Sequence, residues 1–235
     1  MIRNYYKKHI TIGIIFFLIT VGLIIVNPLG HESSYYWILY NRAYFSMMYL
    51  PLFLFGMLPV LADLYISECI IRYPSRKDVE GACMQRIFAY AMYSSFLFCS
   101  TVFLAEKIFS IKINGFFEQP IVFYFLSFLF QCTGWILIGM IAMLLYMKIR
   151  NLAAVWGTSF LLMVFFTIFG EKISQHSFFR YIISPYHRIY QVMAVGDMKE
   201  IGVIFFCGII EIIGLACLIH QCFCSGDFLG KQKEG

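Results

Sequence analysis

The sequence predicts an all-α, polytopic membrane protein with six membrane-spanning helices and both chain ends on the inner side. Three observations predict it. First, the 235 residues are 61% hydrophobic and 13% charged, with a mean hydropathy of +0.78. A soluble domain is about a quarter charged, so this chain has too few polar side chains to cover a water-facing surface. Second, six apolar stretches approach or exceed the roughly 20 residues that cross a bilayer at about 1.5 Å rise each. Third, lysine and arginine concentrate in alternate connecting segments, the bias that sets orientation. The 26 Phe, 16 Tyr and 3 Trp suit lipid-facing and interfacial positions. The formal net charge of +5 then reports topology rather than a nucleic-acid partner, and none is expected.

Helix 1 is expected at about 10–26. It follows Arg3, Lys7 and Lys8 but lacks a small-x-small cleavage site, so it reads as a retained helix rather than a signal peptide. Helix 2 is placed at 46–66, helix 3 at 87–105, helix 4 at 121–147, helix 5 at 152–170 and helix 6 at 201–222. With the N-terminus inside, the inner segments 1–9, 67–86, 148–151 and 223–235 hold 11 basic residues and the outer segments hold 7. The short turn from Lys148 to Asn151 is an inner hairpin. Outside, residues 27–45 carry Tyr35, Tyr36, Trp37 and Tyr40, an aromatic belt. Residues 106–120 carry the turn signals Asn114, Gly115 and Pro120. The segment 171–200 is too apolar for a solvated loop and too interrupted for a span. It is expected as an outer re-entrant helical hairpin, because backbone at membrane depth needs internal pairing. The whole chain reads as one transmembrane domain, 1–235. None of its eight cysteines falls in a loop placed outside, which favours free thiols over a disulfide framework.

The segment 67–86 is the most specific local signal. Pro74 biases Tyr73 away from helix. Ser75 followed three residues later by Asp78 matches a capping box, in a shorter form than the usual Glu. A helix is therefore expected to start at Arg76 and continue through Val79, Ala82 and Cys83 into helix 3. Arg72, Arg76, Lys77 and Arg86 admit a plain reading as a positive-inside anchor on anionic lipid head groups.

The size, the basic N-terminal segment, the six spans and the inner stretch Ile71 to Lys77 together resemble the small membrane subunits of type 2 ABC exporters of Gram-positive bacteria. Those proteins often carry an Arg-Tyr-small-Ser-Arg-Lys stretch at this place. The interrupted segment with Ser184 and Pro185 is similar to their outer hairpin. The sequence departs from them after the basic run, continuing Asp78, Val79, Glu80, Gly81. The resemblance implies that 67–86 is a coupling helix seated in a separate ABC ATP-binding subunit, with Tyr73, Ser75, Arg76, Lys77, Asp78 and Arg86 at the contact. It implies a second permease chain, identical or related, and a place in the bacterial plasma membrane among its lipids. It also implies export by alternating access, of an amphipathic peptide such as a bacteriocin or lantibiotic, or of a lipid or drug-like molecule. No cofactor is expected on this chain. Nothing in it resembles a P-loop, so ATP and Mg belong to the partner, and no catalytic residue is expected here.

Two acidic residues lie within spans. Glu211, near the middle of helix 6, has either a pathway role or a structural hydrogen bond across helices, since a charge at the bilayer centre costs at least ~2.5 kcal/mol. Tyr124, Ser127 and Gln131 on helix 4 are its candidate donors. Asp63 lies nearer the inner end of helix 2, where it can snorkel or cap. His220, Cys222 and Cys224 fall short of the four ligands usual for zinc, and no metal site is expected. The competing class is an integral-membrane enzyme or a non-transport accessory or sensor subunit. Its protease form would pair Ser159 with His220 as nucleophile and base, which requires hydrogen-bond reach.

Overall fold

A computed structural model describes residues 2–26, 41–62, 75–109, 120–174 and 198–225. Every regular element among them is helical. We label them α1 (Ile2–Val26), α2 (Arg42–Ala62), α3 (Arg76–Phe109), α4 (Pro120–Ile149), α5 (Leu152–Ser174) and α6 (Met198–Ser225). Five stretches are long and apolar enough to cross a membrane: Arg42–Ala62, Lys77–Leu104, Ile121–Ile149, Leu152–Phe169 and Ile201–Cys224. In α1 the described apolar part, Ile10–Leu23, is shorter. The chain is thus an all-α protein with the composition and helix lengths of a multi-pass membrane protein.

The helices overrun the expected boundaries. α1 takes in the basic segment from Ile2 onward, helped by the absence of Gly and Pro there. α5 runs to Ser174, taking the first residues assigned to the outer hairpin. Residues 198–200 of that segment belong to α6, and residues 175–197, with Asp63 and Tyr73, lie outside the described residues.

α4 is the central helix. It packs against α2, α3, α5 and α6, whereas α1 packs only on α2 and α3 among the more extensive contacts. Of the spanning stretch, 72% is buried in α4 but 22% in α5 and 17% in α6. The outward faces of α5 and α6, with Leu161, Phe165, Phe206 and Ile210 exposed, are therefore the lipid-facing surface expected of such helices. Trp135 of α4 anchors the middle. It is 1% exposed, stacks on Phe53 at 4.4 Å between ring centroids and meets Phe45 at 5.7 Å.

Small residues set how closely the helices approach, the packing device open to helices in lipid. A Cβ on Gly139 would stand 2.7 Å from Ile87 and 2.9 Å from the Met57 sulfur, so α2, α3 and α4 meet there. A Cβ on Gly56 would overlap the Tyr90 hydroxyl. Gly139 beside Ile87, together with Tyr124 beside Phe103, makes α3 and α4 antiparallel. The α4–α5 turn consequently lies at the end of the bundle where α3 begins. Arg150 closes that turn in the left-handed region, φ 54°, its N–H donating to Tyr146 O at 3.0 Å. Asn151 starts α5 by accepting from Ala154 N–H at 3.2 Å.

α2 contains a π turn, Phe45–Tyr49, with Leu50 N–H donating to Phe45 O. Its physical source lies just beyond it. Pro51 has no N–H, and its ring crowds the carbonyl four residues earlier. The wider turn leaves Phe45 and Tyr49 buried. The Tyr49 hydroxyl meets Thr20 Oγ1 at 3.1 Å, and Thr20 Oγ1 donates to Phe16 O at 2.9 Å.

Candidate functional site

The polar end of the bundle is built on the first turns of α3. Ser75 caps the helix as its spacing implies. Its Oγ accepts from Asp78 N–H at 3.3 Å and donates to the Asp78 carboxylate at 2.6 Å. Ser75 O accepts from Asp78 and Val79 N–H, which satisfies amides that a helix start leaves open. From this cap α3 runs unbroken for 34 residues, through the spanning stretch, to Phe109.

The residues singled out from the sequence divide by what they touch. Lys77 is exposed and faces away from the bundle. Asp78 is exposed too, but its carboxylate is held by Ser75. Arg86 turns inward, Nη1 donating to Val60 O at 3.0 Å. Val60 lies near the end of the described part of α2. Arg86 thereby ties the end of α2 to α3, and its guanidinium is engaged inside the chain. For Arg76 the helical backbone position is described.

Two further residues belong to this end. His220 Nδ1 stands 2.9 Å from Glu80 Oε2, and His220 Nε2 stands 3.6 Å from Cys224 Sγ. One turn of α3 is so joined to the last turns of α6, across 140 residues of sequence. Sequence reading marked Glu80 only as a departure from a basic run and His220 only as part of a weak ligand group. Neither local pattern carries a pairing so distant.

The Ser–His pair of a protease does not form. Both His220 nitrogens are engaged as described, and Ser159, fully buried on α5, has an Oγ without a hydrogen-bond partner. Ser127 does not serve Glu211 either, because its Oγ also has no partner. Glu211 itself is half-buried on α6. Ser127, Gln131 and Trp135 recur every four residues on α4 and so share one face. Ser127 Oγ, Gln131 Oε1 and Trp135 Nε1 are all buried without partners. An unpaired buried polar atom costs about 1–3 kcal/mol, so a row of three along the central helix is a costly feature that packing alone does not account for. Among the described residues no three His, Cys, Asp or Glu side chains converge as a metal cluster.

No family model, curated protein or solved structure matches this chain.

Proposed function

We propose that the chain is the permease subunit of an ABC exporter, with α1 as a sixth span and both ends of the chain inside. It would move an amphipathic substrate, a peptide in the first instance, by alternating access. A separate ATPase subunit would hold ATP and Mg, and a second permease chain would complete the pathway. The observation that carries this reading is the continuous helix Arg76–Phe109, whose capped, charged first turn leads without a break into a spanning stretch. A stiff rod with an anchored polar tip can transmit a push on that tip into the bundle. Lys77, exposed beside the cap, is suited to orientation-specific ionic pairing with a partner. The unpartnered polar row of α4 supports a pathway, since intramembrane polar groups mark routes for substrates and ions. Arg86 and Asp78 have internal partners, so they position the tip rather than bind the ATPase. Glu211 and Asp63 remain the acidic residues proposed near the route.

The test is purification with the ATPase encoded in a neighbouring reading frame, recognised by its Walker A motif. The expected result is a stable complex whose ATP turnover falls at least several-fold with Lys77→Glu or Arg76→Glu, while Lys231→Glu leaves it unchanged. Failure of any ATPase to co-purify, with full function retained across substitutions at 75–80, overturns the reading. An enzyme would instead show activity in the isolated chain, dependent on one Ser, His or Glu.

A further inference from the structure

We propose that His220 and Cys224 form a binding site for a borderline-soft divalent cation of the zinc class, with Glu80 as the carboxylate that orients the histidine. Three observations carry it, and none depends on the exporter reading.

The first is distance. A zinc ion holds imidazole nitrogen at about 2.0–2.1 Å and thiolate sulfur at about 2.3 Å, so at the tetrahedral angle those two ligands stand roughly 3.6 Å apart. His220 Nε2 and Cys224 Sγ are 3.6 Å apart. The second is orientation. Glu80 Oε2, 2.9 Å from Nδ1, accepts a hydrogen bond from Nδ1–H and so leaves the Nε2 lone pair directed at the sulfur. A carboxylate on the far nitrogen is the usual support of a metal-binding histidine. The third is the electrostatic setting. Cys224 lies in the last turn of α6, a turn with no basic residue. Helix C-terminal carbonyls favour positive charge, and the metal, neutral imidazole and thiolate together carry a net +1.

Cys224 and His220 are both exposed, so an ion can enter from solvent. Two protein ligands leave two coordination positions for water, which implies modest, exchangeable binding. On binding, the thiol loses its proton to solvent and the sulfur–metal bond forms. Occupancy also holds His220 in the orientation that meets Glu80, fastening α6 to the start of α3.

The test uses the purified full chain in nanodiscs, stripped by chelation, with Co²⁺ as an optical probe. One equivalent should produce a thiolate-to-cobalt charge-transfer band and the visible absorption of tetrahedral cobalt, displaced by Zn²⁺. Cys224→Ser and His220→Ala should each abolish the band, and Cys222→Ser should keep it. Glu80→Gln should keep the band but weaken binding about 10–100-fold. In the unmutated protein, Zn²⁺ should slow alkylation of Cys224, measured by mass spectrometry, while leaving Cys217 unaffected. No band and no protection in the unmutated protein overturn the site, as does a band that survives Cys224→Ser. Unchanged affinity in Glu80→Gln overturns the orienting role.

Discussion

Gly56 is the most closely packed of the described glycines, and its energetics can be isolated. A methyl group there meets the Tyr90 hydroxyl before anything else, and Tyr90 is itself 6% exposed, with little room to retreat. Gly56→Ala is expected to destabilise by about 1–3 kcal/mol, the usual cost of overpacking. Gly56→Ala combined with Tyr90→Phe should recover part of that loss, because the clashing oxygen is gone. Thermal unfolding of the four proteins of this cycle in one detergent measures the coupling. Gln131 presents the opposite case. Its Oε1 is buried without a partner, so Gln131→Leu should raise stability by about 1 kcal/mol or more. If the α4 row serves a pathway, the same substitution should lower transport. A fall in melting temperature would show that Gln131 is paired in the membrane and would remove the row as an argument.

At the scale of elements, α3 shows what a short sequence pattern can and cannot reveal. The helix start was legible because every part of it is local: proline biases the residue before it away from helix, and Ser75 and Asp78 sit at the spacing of a box. Ser75→Ala should cost about 0.5–2 kcal/mol, with faster amide exchange at 76–79 and unchanged exchange beyond Ala91. The tie from Glu80 to His220 was not legible, since a contact between two elements leaves no spacing in either. The bond of Arg86 to α2 was not legible for a related reason. Its charge suggested an outward partner, and the structure gives it an inward acceptor, Val60 O of α2. The π turn was not foreseen, since helix 2 was expected to run evenly over 46–66 and whether a helix answers a proline such as Pro51 with a kink or a π turn depends on its neighbours. The apolar spans were legible from hydropathy because lipid imposes one length on all of them, whereas the order of packing around α4 was not.

At the scale of the whole molecule, Cys224 and Cys217 report on topology because both are exposed on one helix but differ in depth. Cys224 lies near the polar end that also holds Lys77 and the Lys148 to Asn151 turn. A membrane-impermeant maleimide applied to intact cells should leave Cys224 unmodified, and permeabilisation should expose it. Cys217, facing lipid two turns earlier, should resist in both conditions, as should buried Cys83 and Cys132. Modification of Cys224 in intact cells would invert the assigned orientation and detach α3's charged tip from any cytosolic ATPase.

The π turn in α2 also sets a rotational phase. A π turn accommodates one residue more than the α-helix around it, and one residue corresponds to about 100° about a helix axis. Residues 50–62 are packed among α3, α4 and α5, so they fix the axis and leave the segment before the turn to take up that rotation. Deleting Met47, which is 75% exposed, would keep Phe53 on Trp135 while swinging Asn41 to Tyr44 roughly a quarter turn around the helix. The one surplus residue therefore sets the direction of residues 41–46, Phe45 among them, relative to the half of α2 that stacks on Trp135.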